Sequence, residues 1–211
     1  MFVFSQKNRL CLALCLVLSI SVLTGCSQTE KQAIARVDKH DGSVQLRLSA
    51  NERFIDAQND TILNIGGAVR TGADGQVDLI YLDDSKISIR SDTYFEIGDE
   101  AHLAMQKKGN ALYRLAPQEP SANVITPHAV TCVLGTSFLV EVTDEYTKVS
   151  VESGKVEVSN FSGSQKQIVR ANYQVEVCTE GVVTEPNRIN PFVREKLFYE
   201  RETKMPSINQ N

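Results

Sequence analysis

Tryptophan is absent from the 211 residues, histidine occurs three times, and no apolar run reaches the roughly 20 residues that a helix needs to cross a bilayer. The longest run, residues 10–23 (LCLALCLVLSISVL), stops short of a comfortable span. No glycine-rich phosphate loop, Walker motif or dinucleotide fingerprint occurs, which removes the common nucleotide-dependent classes. No C-x-x-C or H-x-x-x-H spacing joins the cysteines to His40, His102 and His128, so a zinc site has no ligand pattern. Basic clusters are missing as well, and the formal net charge is -4. Nucleic acid is excluded as a partner on that ground, because neutralising phosphates requires a basic face.

What the chain does have begins at its front. Lys7 and Arg9 precede the apolar run with no acid among the first nine residues, in the order of a charged n-region and an h-region. The run ends in Leu23-Thr24-Gly25-Cys26, which resembles the lipobox of bacterial lipoproteins: an aliphatic residue, two small residues and the cysteine that is acylated. Residues 1–25 are then a cleaved export signal, Cys26 the lipid-bearing N-terminus and residues 26–32 a short tether. Each acyl chain contributes about 0.8 kcal/mol per buried methylene, so two or three chains hold a domain on a membrane without any protein span. The resemblance implies a membrane partner through covalent lipid on Cys26 and no other cofactor. Ser27 is not the Asp that retains lipoproteins in the inner membrane of enteric bacteria, which points to the outer membrane, facing the periplasm.

Removal of residues 1–25 leaves one domain's length of chain, with 20 basic and 26 acidic residues and a net charge of -6. Cys11 and Cys15 leave with the signal and Cys26 is committed to lipid. Cys132 and Cys178 remain as a candidate disulfide in an oxidising compartment, with two separate buried thiols as the alternative.

From residue 33 to 185 the pattern is of short alternating segments between turn residues, the grammar of an all-β domain. Strands are expected at Ser43–Leu48, Val77–Leu82, Lys86–Arg90, Ser137–Thr143, Lys148–Val151, Lys155–Val158 and Tyr173–Val177. Asp41-Gly42, Asp74-Gly75, Asp83-Asp84 and Ser153-Gly154 are among the breaks, spaced as in sandwiches, barrels or stacked β-coils. In the segment 186–211, Asn190-Pro191 followed by FVREKLFYERETK predicts one short helix, with Asn190 as N-cap and Pro191 at the first helical position. Phe192, Val193, Leu197 and Phe198 are its expected buried side, and a polar tail follows.

Residues 66–97 and 124–159 resemble the two halves of a FecR-like domain, within a likeness running over Val37–Val177. Arg70-Thr71-Gly72, Thr126-Pro127, Gly135-Thr136-Ser137-Phe138 and Val151-Glu152-Ser153-Gly154-Lys155-Val156-Glu157-Val158 carry it. The resemblance implies a stacked or solenoid-like β domain, with a β-sandwich as the alternative, acting as a periplasmic interaction module. Leu134 stands where the family usually has Arg, Asp84 where a turn Gly is usual, and Cys132 at a normally small position. Family members known as regulators carry a cytoplasmic anti-sigma segment and a membrane span before this domain. None precedes the export signal here, so the expectation is a stand-alone lipoprotein member.

No catalytic set emerges. Gly135-Thr136-Ser137 lacks the final Gly of a nucleophile elbow, since position 139 is Leu. Asp83 and Asp84, with Asp74 and Asp78, could only make a weak cation site or a glycosidase pair, and His128 has no orienting acid in view. The expected function is non-catalytic recognition or ligand sensing, with an envelope protein or a cell-wall component as partner. An envelope enzyme, or a carbohydrate-binding accessory to one, is the alternative. Cys26→Ser is expected to give a chain that incorporates no labelled palmitate, because an alcohol cannot form the thioether. Palmitate recovered on that variant would end the lipoprotein reading.

Overall fold

The computed structural model describes residues 33–99, 101–117 and 121–199, so Cys26 and the signal segment lie outside it. The described residues form seventeen strands and one helix, an all-β architecture as expected from the alternation. The strands make two sheets joined through one of their members. The first runs in the order β4 (Ile62–Asn64), β1 (Ala33–Asp41), β6 (Gln76–Tyr81), β7 (Lys86–Ile89), β9 (Ala104–Arg114), β12 (Ser137–Val142), β13 (Tyr146–Ser153), β16 (Tyr173–Cys178) and β17 (Asn187–Arg188). The second runs β3 (Ile55–Asp56), β2 (Val44–Arg47), β5 (Ala68–Thr71), β8 (Tyr94–Ile97), β9 again, β10 (Ala122–Ile125), β11 (Val130–Val133), β14 (Lys155–Ser159) and β15 (Lys166–Arg170). All neighbours are antiparallel except β9 and β10.

The chain climbs through these sheets as a stack. Hairpins in one sheet alternate with hairpins in the other, which is the coiled arrangement expected, and the alternating residues of both inner faces meet in one apolar core. Val77, Leu79 and Tyr81 enter it from β6, and Val156 and Val158 from β14. Burial drives the Tyr81 and Tyr113 phenols far above their ordinary range.

β9 belongs to both sheets. Its start pairs with β8 and β10, its end with β7 and β12, and Gly109 at the crossing has φ +83°. A Cβ there would lie 2.2 Å from the Thr93 hydroxyl oxygen and 2.5 Å from the Thr93 Cα, so only glycine fits. The inward positions change parity across this point, from Ala104 and Gln106 to Ala111 and Tyr113. Gln106 is fully buried. Its Nε2 donates to Gly109 O at 2.8 Å and to Val140 O of β12 at 3.1 Å, while Tyr113 Oη donates to its Oε1 at 2.9 Å. The Tyr113 ring stacks on Phe138 at 4.8 Å.

Helix α1 (Pro191–Tyr199) begins as predicted, with Phe192 N donating to Asn190 Oδ1 at 2.9 Å. Its expected buried side is corrected. Phe198 is buried and Leu197 packs against Leu112, Leu139 and Ile189, but Phe192 is 93% exposed and Val193 44%. The reason is that only the last turn reaches the outer face of the first sheet. There the Arg90 and Arg114 guanidinium groups donate to the carbonyls of Leu197 and Phe198, taking up acceptors that a helix end leaves free. Residues 200–211, which hold the expected end of the helix and the polar tail, lie outside the described residues. Among the described residues no helix is long and apolar enough to cross a membrane.

The candidate disulfide is also corrected. Both thiols are free. Cys132 sits on an outward position of β11 in the second sheet and Cys178 on an outward position of β16 in the first, so the two side chains leave opposite layers.

Gln106→Leu is expected to lower stability by about 1–3 kcal/mol, since it leaves the buried Tyr113 hydroxyl without its acceptor and removes a second donor from two carbonyls that the β9–β12 ladder already bonds. Urea unfolding of the two proteins side by side checks it, and an unchanged midpoint would refute the role given to this side chain.

Candidate functional site

The residues singled out in the sequence converge on one corner. β11 leaves the second sheet through Leu134-Gly135-Thr136 to become β12 in the first, and β13 returns to the second through Gly154 as β14. Gly135 has φ +83° and Gly154 +81°. A Cβ on Gly135 would stand 2.6 Å from the Cα of Pro117, and one on Gly154 2.7 Å from Thr136 Cγ2. Gly135 is a corner between layers rather than a bulge within a strand.

A third turn stacks beside these two. Asp83 accepts from Ser85 N at 3.0 Å and from Ser85 Oγ at 2.9 Å, and that hydroxyl accepts from Ala116 N at 3.0 Å. Asp84 holds φ +65°, which explains why glycine is usual at its position. Together the turns frame a cleft of about 360 Å³, lined by Asp84, Arg114, Leu115, Ala116, Gly135, Thr136, Ser137, Glu152 and Ser153. Ser137 Oγ donates to Glu152 Oε2. A hydrogen bond to Glu152, followed by its charge, pushes the Tyr199 phenol upward, so the end of α1 reaches the same carboxylate. No histidine or cysteine lines the cleft. The Ser137–Glu152 bond ties β12 to β13 beside the corner.

The remaining candidates are dispersed. His128 is buried between β10 and β11, with Nδ1 3.1 Å from Thr147 Oγ1. Thr147 in turn donates to Thr126 Oγ1 at 2.9 Å. His102 is half-buried, with Nδ1 3.0 Å from Asp99 Oδ1. The amide of Ala101, then His102, hold the Asp99 carboxyl below its usual range. Asp74 accepts from Ser43 N at 3.2 Å, and Asp78 lies 3.4 Å from Lys39. Among the described residues no three acids, histidines or cysteines come together as a cation site.

Sequence reasoning missed a charged cluster on the outer face of the second sheet. Glu96 of β8 is buried beneath Arg47 of β2, with Lys107 Nζ of β9 at 2.9 Å. Burial pushes its carboxyl upward, but the hydrogen bonds and charges of Lys107 and Arg47 outweigh this and hold it below the ordinary value. Arg70 lies over the Phe54 ring at 4.3 Å, and Phe54 meets Tyr94 edge-on at 6.3 Å. Four strands and the segment just before β3 supply these residues, and only the register brings them together.

Residues 67–157 match the FecR protein family. The match opens just before β5 and closes within β14, so it takes in the β9 crossing and the whole corner, and β1 to β4 and β15 to β17 continue the same layers beyond it. It covers the centre of the longer stretch, Val37–Val177, over which the FecR resemblance was read. Two crystal structures of a "putative anti-sigma factor" from Parabacteroides distasonis ATCC 8503, at 1.65 and 2.50 Å, are similar with TM-score 0.52 and 22% identity. Each likeness covers 58% of this chain and 60% of that one, and at this identity it is a likeness of fold. No curated protein matches the chain.

Gly135→Val is expected to destabilise the domain by about 3 kcal/mol or more, because it sets a branched side chain both in left-handed backbone and against Pro117. Thermal melting monitored by circular dichroism reads this directly, and a native melting curve would remove the corner from the elements that hold the fold.

Proposed function

We propose that the chain is a lipid-anchored, non-catalytic module of the bacterial envelope, held by acylated Cys26 and acting by recognition of another envelope protein. One observation carries the non-catalytic reading: the polar side chains that could do chemistry are each hydrogen-bonded to a neighbour within the fold, at separate places in it. Asp83 is bonded to Ser85, Ser137 to Glu152, His128 to Thr147 and His102 to Asp99. The FecR match over residues 67–157 supports the same reading. It is a family in which regulators use this domain as a periplasmic sensor. The lipobox-like Leu23-Thr24-Gly25-Cys26 supports the anchor, and Ser27 supports delivery to the outer membrane.

The reading is tested by photo-crosslinking of the full chain in the producing bacterium, with mass spectrometry of what is captured. Substituting Asp83, Asp84, His102, His128 and Ser137 one at a time is expected to leave the crosslinking yield within about threefold of the parent wherever the variant folds. If a single carboxylate or histidine change abolished the cellular function while melting stayed native, an enzymatic role would replace this one.

A further inference from the structure

Stacked sheets expose an edge at each end, and edges with free backbone groups attract other chains. Three of the four ends here close in strands of two or three residues: β3, β4 and β17. Returning chain seals them further. Ala57 N donates to Val44 O, Asp60 N to Val37 O, and Thr184 N to Glu176 O. The fourth end is different. Among the described residues β15, with five residues, pairs with β14 on one side and with no strand on the other.

The register shows which groups stand open. Ala171 N bonds Gly154 O and Asn160 N bonds Gln165 O, which fixes Val169 and Gln167 as the residues of β15 whose backbone faces β14. The N–H and C=O groups of Lys166, Ile168 and Arg170 therefore point to the open side. Their side chains share the outer face: Ile168 is 54% exposed and is flanked by exposed Lys166 and Arg170. Lys155 of β14 lies opposite Arg170, and the one acid in the strip is Glu157, 3.5 Å from Lys166.

We propose that β15 is a docking edge that adds an extended strand of a partner protein, one that places acidic, apolar and acidic residues at alternate positions over Lys166, Ile168 and Arg170. Main-chain bonds supply the attraction and the alternating side chains the selectivity. A second copy of this chain is the poorer occupant, because two-fold pairing about Ile168 would set Lys166 opposite Arg170 twice, with like charges directly opposed. The proposal rests on the recognition reading above and names the chemistry of what is recognised.

The probe is a blocked peptide, Thr-Glu-Thr-Val-Thr-Glu-Thr, added to the full chain in detergent micelles, with amide hydrogen exchange read by NMR. The amides of Lys166, Ile168 and Arg170 are expected to become protected, and the Lys counterpart, Thr-Lys-Thr-Val-Thr-Lys-Thr, to bind at least about tenfold more weakly. Ile168→Pro removes an outward N–H and no bond to β14, so it should cut peptide binding about tenfold or more while the melting temperature stays within a few degrees of the parent. Lys166→Glu with Arg170→Glu, both at exposed positions, should reverse the preference between the two peptides and keeps the test valid should the proline variant unfold. Protection elsewhere, an unreversed preference, or a concentration-dependent dimer protected at β15 would overturn the proposal. Cellular crosslinks mapping to another face would do so as well, while leaving the recognition reading intact.

Discussion

A single buried glutamine holds the place where two sheets become one structure. β9 must leave the second sheet and enter the first, and a strand that changes layers breaks its ladder and turns its inner side outward. Gly109 permits the turn through its positive φ. Gln106 braces it by donating to Gly109 O and reaching across to Val140 O, and Tyr113 completes its carbonyl. Every partner of the network is on β9 itself or on β12, so the crossing and the pairing of the two halves of the chain are fixed together.

The corners obey the same constraint at the surface. Gly135 and Gly154 pass the chain between layers so closely that a side chain on either would meet backbone or the Thr136 methyl. Asp83 and Ser85 brace the neighbouring turn. Polar residues that resemble a reactive set in sequence are therefore occupied in satisfying turns, as stacked hairpins demand at each reversal. The surface that remains for contact is the outer faces and the one open edge.

Much of the fold was legible in the alternation. Val77, Leu79 and Tyr81 on β6, and Val156 and Val158 on β14, announce an inward face because strand side chains repeat every two residues. Asn190 and Pro191 announced the helix start for equally local reasons, a side-chain acceptor and a preset φ. The buried side of that helix was not legible. Phe192 and Val193 are as apolar as Leu197 and Phe198, and only the placement of Arg90 and Arg114 decides which turn touches the sheet. The continuous apolar run Phe138-Leu139-Val140 did hold the complementary signal, since a strand buried on both faces has something covering its outer side.

The sequence by itself determined the class of fold, the strand segments and the turns, because each depends on residues adjacent in the chain. Tertiary structure alone decided which distant residues meet. Arg47, Glu96 and Lys107 become a charged cluster only when β2, β5, β8 and β9 lie in register. Cys132 and Cys178 are separated because their strands fall in different layers and both point outward, a fact of topology that no spacing encodes. The open side of β15 is likewise a property of sheet order: its residues read like those of any other strand, and it is the lack of a neighbouring strand among the described residues that leaves its backbone groups open.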